Sequence, residues 1–135
     1  MRNPWGTYRV VGRSMAPTLA PGDLLLASRR RPPVAGAIAV FDGPDGLVLV
    51  KRLVAGPGSE VVLTDGVLTV DGVPWPSILD IPGSGTWTIP SDHWFALSDA
   101  PERTDADSRS FGPVPEGTVL GIVAGRLWPN PGRIG

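Results

Sequence analysis

The chain has 135 residues, enough for one domain with a real core, and its 41% hydrophobic against 19% charged residues exclude a disordered chain. A net charge of −1 excludes the broad basic footprint of a nucleic-acid binder. Cysteine is absent, which excludes disulfides and thiol chemistry, and no apolar run approaches the roughly 18 residues of a membrane-spanning helix.

The N-terminal stretch also lacks the apolar centre of a signal peptide, so the chain as given is expected neither to span a membrane nor to export itself. Glycine (18) and proline (16) recur between short apolar runs, a spacing that predicts strands rather than long helices. The first strand is predicted at 8–11 and the second at 23–27. Between them Pro17, Pro21 and Gly22 forbid a continuous ladder, which puts Ser14 on a bend. Such a bend either exposes a side chain for chemistry or simply turns the chain. Arg29, Arg30 and Arg31 beside Pro32 and Pro33 read as a solvated loop, with a lipid-phosphate contact as the alternative. Strands follow at 37–41 and 47–54, joined through Gly43-Pro44-Asp45-Gly46. Strands at 60–64 and 67–70 flank Asp65-Gly66, a two-residue hairpin turn. Residues 74–85 are the loosest stretch, and further strands are predicted at 86–89, 94–97 and 118–128. The expected fold is all-β and mostly antiparallel, one domain over residues 1–135. Its core covers about 7–55 and 86–128, with a small β-hairpin excursion at about 56–85.

Chemistry narrows by elimination. Zinc and iron sites usually need several His or Cys ligands, and this chain has only His93, so no metal is expected. No phosphate-cradling or dinucleotide-binding glycine motif is present, and no cofactor is expected. His93, at a predicted strand start, reads as a surface or strand-edge residue rather than a triad member. What remains is serine with lysine. Lys51 is the single lysine among twelve Lys and Arg residues. Arginine cannot release its proton in a protein, whereas a buried lysine can, so a lone lysine hints at a need for the neutral amine. Strand alternation groups Lys51 with Leu47 and Leu49 and puts Arg52 on the wetter face. A lysine that snorkels at a strand edge fits the same pattern, and the residues alone leave both readings open.

Four blocks, "GRSMAPTLAPGD", "LVLVKRLVAGPGSEV", "DGVLTVDGVP" and "FALSDAPERTDADSRSFGPVPEGTVLG", resemble the type I signal peptidases in order, spacing and content over about residues 8–128. The resemblance implies a Ser/Lys-dyad serine endopeptidase on a signal-peptidase-like β-fold, with Ser14 the nucleophile and Lys51 the general base. It implies an oxyanion site at the backbone of Ser14 and Gly12. Some members carry a serine at the position of Gly12, so any second donor here comes from elsewhere. Members usually read GDN and then Ser-x-Asp-Ser-Arg. This chain reads Ser98-Asp99-Ala100 and then Thr104-Asp105-Ala106-Asp107-Ser108-Arg109. Asp99, Asp107, Ser108 and Arg109 match, with Asp107 and Arg109 an expected ion pair. The lysine-orienting serine falls on Asp105 or Thr104, and Thr104 is favoured because a carboxylate would raise the lysine pKa. Tyr8, Val10, Val11, Met15, Leu19, Leu49 and Val50 are the implied substrate-binding residues, suited to small side chains in an Ala-x-Ala pattern. The implied partner is a peptide or preprotein at the outer face of the cytoplasmic membrane, with contact to the membrane surface. A soluble relative that matures proproteins is the other expectation for a chain without an anchor. The alternative to an enzyme is a silenced peptide-binding module of the same fold.

Overall fold

The computed structural model describes residues 3–134. Short apolar runs separated by glycine and proline form eleven strands among the described residues. In chain order they are β1 (Trp5–Arg9), β2 (Leu24–Ser28), β3 (Ile38–Asp42), β4 (Val48–Ala55), β5 (Glu60–Thr64), β6 (Val67–Val70), β7 (Val73–Pro74), β8 (Gly85–Thr88), β9 (His93–Leu97), β10 (Val114–Pro115) and β11 (Val119–Trp128). One short helix, α1 (Ser108–Phe111), and a 3-10 turn at Glu116–Thr118 interrupt them. All strand pairs are antiparallel.

Seven strands form one sheet in the order β1-β2-β11-β3-β4-β9-β10, and four form a second in the order β7-β6-β5-β8. The ten-residue β11 joins β2 to β3 and needs shifts of register on both sides to do so. β3 is buried along Ile38–Phe41 because clusters cover both of its faces: Ala39 and Phe41 join one, Ile38 another. A third cluster welds the sheets together, with Val61, Leu63 and Leu68 of the smaller sheet against Val54, Phe95 and Leu97 of the larger. Trp87 packs on Phe95 with ring centroids 4.8 Å apart.

Turn chemistry sets the β5–β6 hairpin. Asp65 and Gly66 both have positive φ, 49° and 80°, the combination that a tight two-residue turn demands. The excursion differs from the expected hairpin by being a four-stranded sheet. Gly85–Thr88 pairs with β5 rather than joining the main sheet, and the two-residue β7 is too short to show any period. The first strand also lies earlier than predicted. Beyond Arg9 the chain is already closing a loop, since Val10 pairs with Asp23 and Gly22, and Val11 stands 90% exposed.

Candidate active site

Ser14 lies on a loop that closes on itself. The Val10 N–H donates to Asp23 O and the Gly22 N–H to Val10 O, each at 2.8 Å. Asp23 locks the base, accepting from the Ala20 N–H at 2.9 Å and pairing with Arg126 at 3.2 Å. Met15 and Leu19, buried with Val10, Leu25 and Ile38, hold the bend down and leave Ser14 half-buried at its crest. Gly12, with φ +81° and open space around its Cα, lets the chain turn there.

Lys51 stands on β4 and is 3% exposed, so it is not a snorkelling edge residue. Its Nζ donates to Ser98 Oγ at 3.0 Å. Burial pulls its pKa below the ordinary value, because the ammonium loses hydration. The Asp107 carboxylate pushes the pKa back up, and the Arg109 guanidinium adds to the lowering. Burial alone would lift the Asp107 pKa. Hydrogen bonds from Arg109 and Ser98, with the guanidinium charge, outweigh it and hold the carboxyl below its ordinary value.

The loop after β9 braces both residues. Asp99 takes a two-point grip from Arg52, at 2.9 and 2.7 Å, and accepts from Thr18 Oγ1 at 2.7 Å. Ala100 N–H donates to Ser14 O at 2.8 Å, and Asp99 N–H to Met15 Sδ at 3.4 Å. Asp107 caps α1 and receives the Ser98 N–H at 3.0 Å. Arg109 pairs with Asp107 at 2.9 Å and donates to the carbonyls of Pro82, Pro101 and Thr104. Ser108, fully buried, accepts from the Ala96 N–H at 2.8 Å. The matched residues Asp99, Asp107, Ser108 and Arg109 thus tie the Ser14 loop, β4 and β9 into one unit.

Thr104 and Asp105 are placed elsewhere than the sequence suggested. Thr104 Oγ1 accepts from the Ala106 N–H within its own loop, and Asp105 is exposed, its carbonyl accepting from Ser110 Oγ. The hydroxyl on the lysine is that of Ser98, which the sequence reading passed over as part of the altered GDN block. Its signal was a side chain at the position where the family resemblance implies glycine.

Ser14 and Lys51 line one cleft of about 340 Å³, together with Tyr8, Val10, Val11, Met15, Leu49 and Val50. Arg9 and Val48 also line it. Leu19 does not line it. It sits 1% exposed beneath the bend, where a leucine is needed as ballast for the turn. Two unfilled strand edges form the cleft walls. β1 is a terminal strand, and the first half of β4 pairs only with β3, since β9 begins to pair at Arg52. A larger groove of about 740 Å³ adjoins the brace from the Arg52 side, with Trp75, Ile78 and Leu79 in its wall. His93 opens β9, its Nδ1 2.8 Å from Ser91 O.

Residues 3–128 match the family described as signal peptidase, peptidase S26. The chain is similar to signal peptidase I V of Bacillus subtilis, 30% identical over 141 residues that cover 87% of this chain and 82% of that one. It is 34% identical to the mitochondrial ATP-independent inner membrane protease subunit 1b of Arabidopsis thaliana, covering 87% of this chain and 67% of that one. Among solved structures it is similar to a signal peptidase I from Enterococcus faecalis V583, with a TM-score of 0.60 and 27% identity over 68% of this chain and 97% of that one.

Proposed function

Since the chain belongs to the signal peptidase family, peptidase S26, we propose that it is a serine endopeptidase working by a Ser14/Lys51 dyad. The observation that carries this reading is a buried lysine of lowered pKa sharing a cleft with a serine on a braced bend. A serine hydroxyl is inert until a base takes its proton, and lysine is a base only when neutral. Lys51 Nζ accepts the Ser14 hydroxyl proton as Oγ attacks the scissile carbonyl carbon. The backbone N–H of Ser14 meets the oxyanion, and Gly12 leaves the approach open. The C–N bond then breaks, the Lys51 ammonium protonates the departing amine, and an acyl-serine remains. Lys51 next deprotonates water, which attacks the ester and restores Ser14.

The substrate adds as an extended strand between β1 and the open half of β4, completing the sheet. Alternate residues of that strand point to one face, so the first and third side chains before the cut meet the same wall. The floor of Val10, Met15, Leu49 and Val50 suits small side chains there, such as alanine. Exposed Trp5, Leu127 and Trp128 support contact with a membrane surface, consistent with work at the outer face of a cytoplasmic membrane. Among the described residues no helix is long and apolar enough to cross a membrane.

The test is turnover of a peptide carrying Ala-x-Ala before the scissile bond by the parent, Ser14→Ala and Lys51→Arg. Both variants are expected to lose turnover by roughly 10⁴-fold or more while still binding the peptide. Tight binding without turnover by the parent would instead identify a silenced groove.

A further inference from the structure

We infer that Ser98 is the positioning residue for Lys51, taking over from the end of β9 the orienting role that the family resemblance assigned to position 104 or 105. This rests on the reading of Lys51 as the general base. Three observations carry it. Ser98 Oγ lies 3.0 Å from Lys51 Nζ, and the residue is 1% exposed, so water does not compete for the contact. The Ser98 N–H is fixed on Asp107 at 3.0 Å, and Asp107 is itself held by Arg109, so the hydroxyl is mounted on a rigid support. Thr104 and Asp105 are engaged within their own loop.

The chemistry follows from the donor inventory. The Ser98 hydroxyl is among the hydrogen bonds that hold the Asp107 carboxyl low. A hydroxyl donating to that carboxylate presents its oxygen lone pairs to the lysine. Neutral Lys51 then spends an N–H on Ser98, which turns its own lone pair toward the cleft that holds Ser14. The motif glycine of relatives cannot do this. In this chain a side chain at the glycine position and the loss of the loop serine are two halves of one exchange.

Ser98→Ala is the discriminating variant, because it keeps the backbone N–H that Asp107 holds and removes only the hydroxyl. It is expected to lower kcat on the Ala-x-Ala peptide by ~10–100-fold, the scale of a misplaced catalytic group, with KM within about twofold. The charged groups facing the amine, Asp107 and Arg109, are unchanged in this variant. Loss of an acceptor hurts the ammonium more than the amine, so the limb on which activity rises with pH moves to lower pH. Lys51 is the only lysine, so carbon-13 labelling of lysine reports its titration from a single side chain, whether or not the peptide is cut. That titration is expected to move the same way in Ser98→Ala and to stay in place in Thr104→Val. An unmoved titration and unchanged kcat in Ser98→Ala, or a shift in Thr104→Val instead, would overturn the inference. Turnover surviving in Lys51→Arg would sink the dyad while leaving the lysine titration to judge Ser98.

Discussion

Lys51 is 3% exposed, and its pKa is lowered chiefly by burial, so the folded state disfavours its ammonium. The sign of the linkage is fixed by that direction. In the unfolded chain the lysine keeps its ordinary value of 10.5, so between the folded value and 10.5 the unfolded state binds more protons. Stability therefore carries the full penalty below the folded pKa and recovers as pH rises through that window. Replacing the lysine by an apolar side chain of similar length removes the penalty. Lys51→Met is expected to melt at a higher temperature than the parent at neutral pH, with the gap narrowing as pH approaches 10.5. Melting curves across that range check it, and a variant that melts lower at neutral pH would contradict the burial argument. As candidates Ser14 and Lys51 were legible from sequence, Lys51 through composition and Ser14 through its bend, while their dyad roles came only from the family resemblance. Ser98 was not, because its role depends on a contact between β4 and the end of β9, 47 residues apart.

At the scale of elements, the segment from Ser98 to Arg109 is a brace built around one buried ion pair. The Arg109 and Asp107 side chains are 4% and 0% exposed. Arg109→Ala leaves the Asp107 carboxylate buried without its cation and frees three carbonyls, which is expected to cost about 3–5 kcal/mol. It also removes a positive charge that lowers the Lys51 pKa and leaves the Asp107 charge that raises it. The limb on which activity rises with pH therefore moves to higher pH, opposite to Ser98→Ala. Urea titration reads the first effect and a pH–rate series the second. A limb that stays in place would show that this pair does not bear on the lysine. The strands elsewhere were readable from short apolar runs between turn residues, and the Asp65-Gly66 hairpin coincides with its prediction. α1 was missed because four residues give no helical period, and only the Asp107 cap before it announces a helix start. Leu19 was misread for a related reason. Apolar residues beside Ser14 look the same in sequence whether they line the cleft or anchor the turn.

On the scale of the whole molecule, the main sheet is left incomplete beside the cleft that holds Ser14 and Lys51. β1 ends one side, the first half of β4 lacks a second partner, and the cleft lies between them. The all-β class followed from glycine and proline spacing, but the split into two sheets did not. It depends on Gly85–Thr88 choosing β5 as partner, a long-range pairing that no local pattern dictates. The same incomplete sheet brings Ser14 and Lys51 into one cleft from segments far apart in the chain. The central claim is that the neutral amine of Lys51 drives turnover. The measurement that tests it most directly compares the pH dependence of kcat/KM on an Ala-x-Ala peptide with the carbon-13 titration of Lys51 in the same protein. The two are expected to share one apparent pKa below 10.5, with activity rising as the lysine loses its proton. Activity that rises at a pH where Lys51 does not titrate would contradict the account.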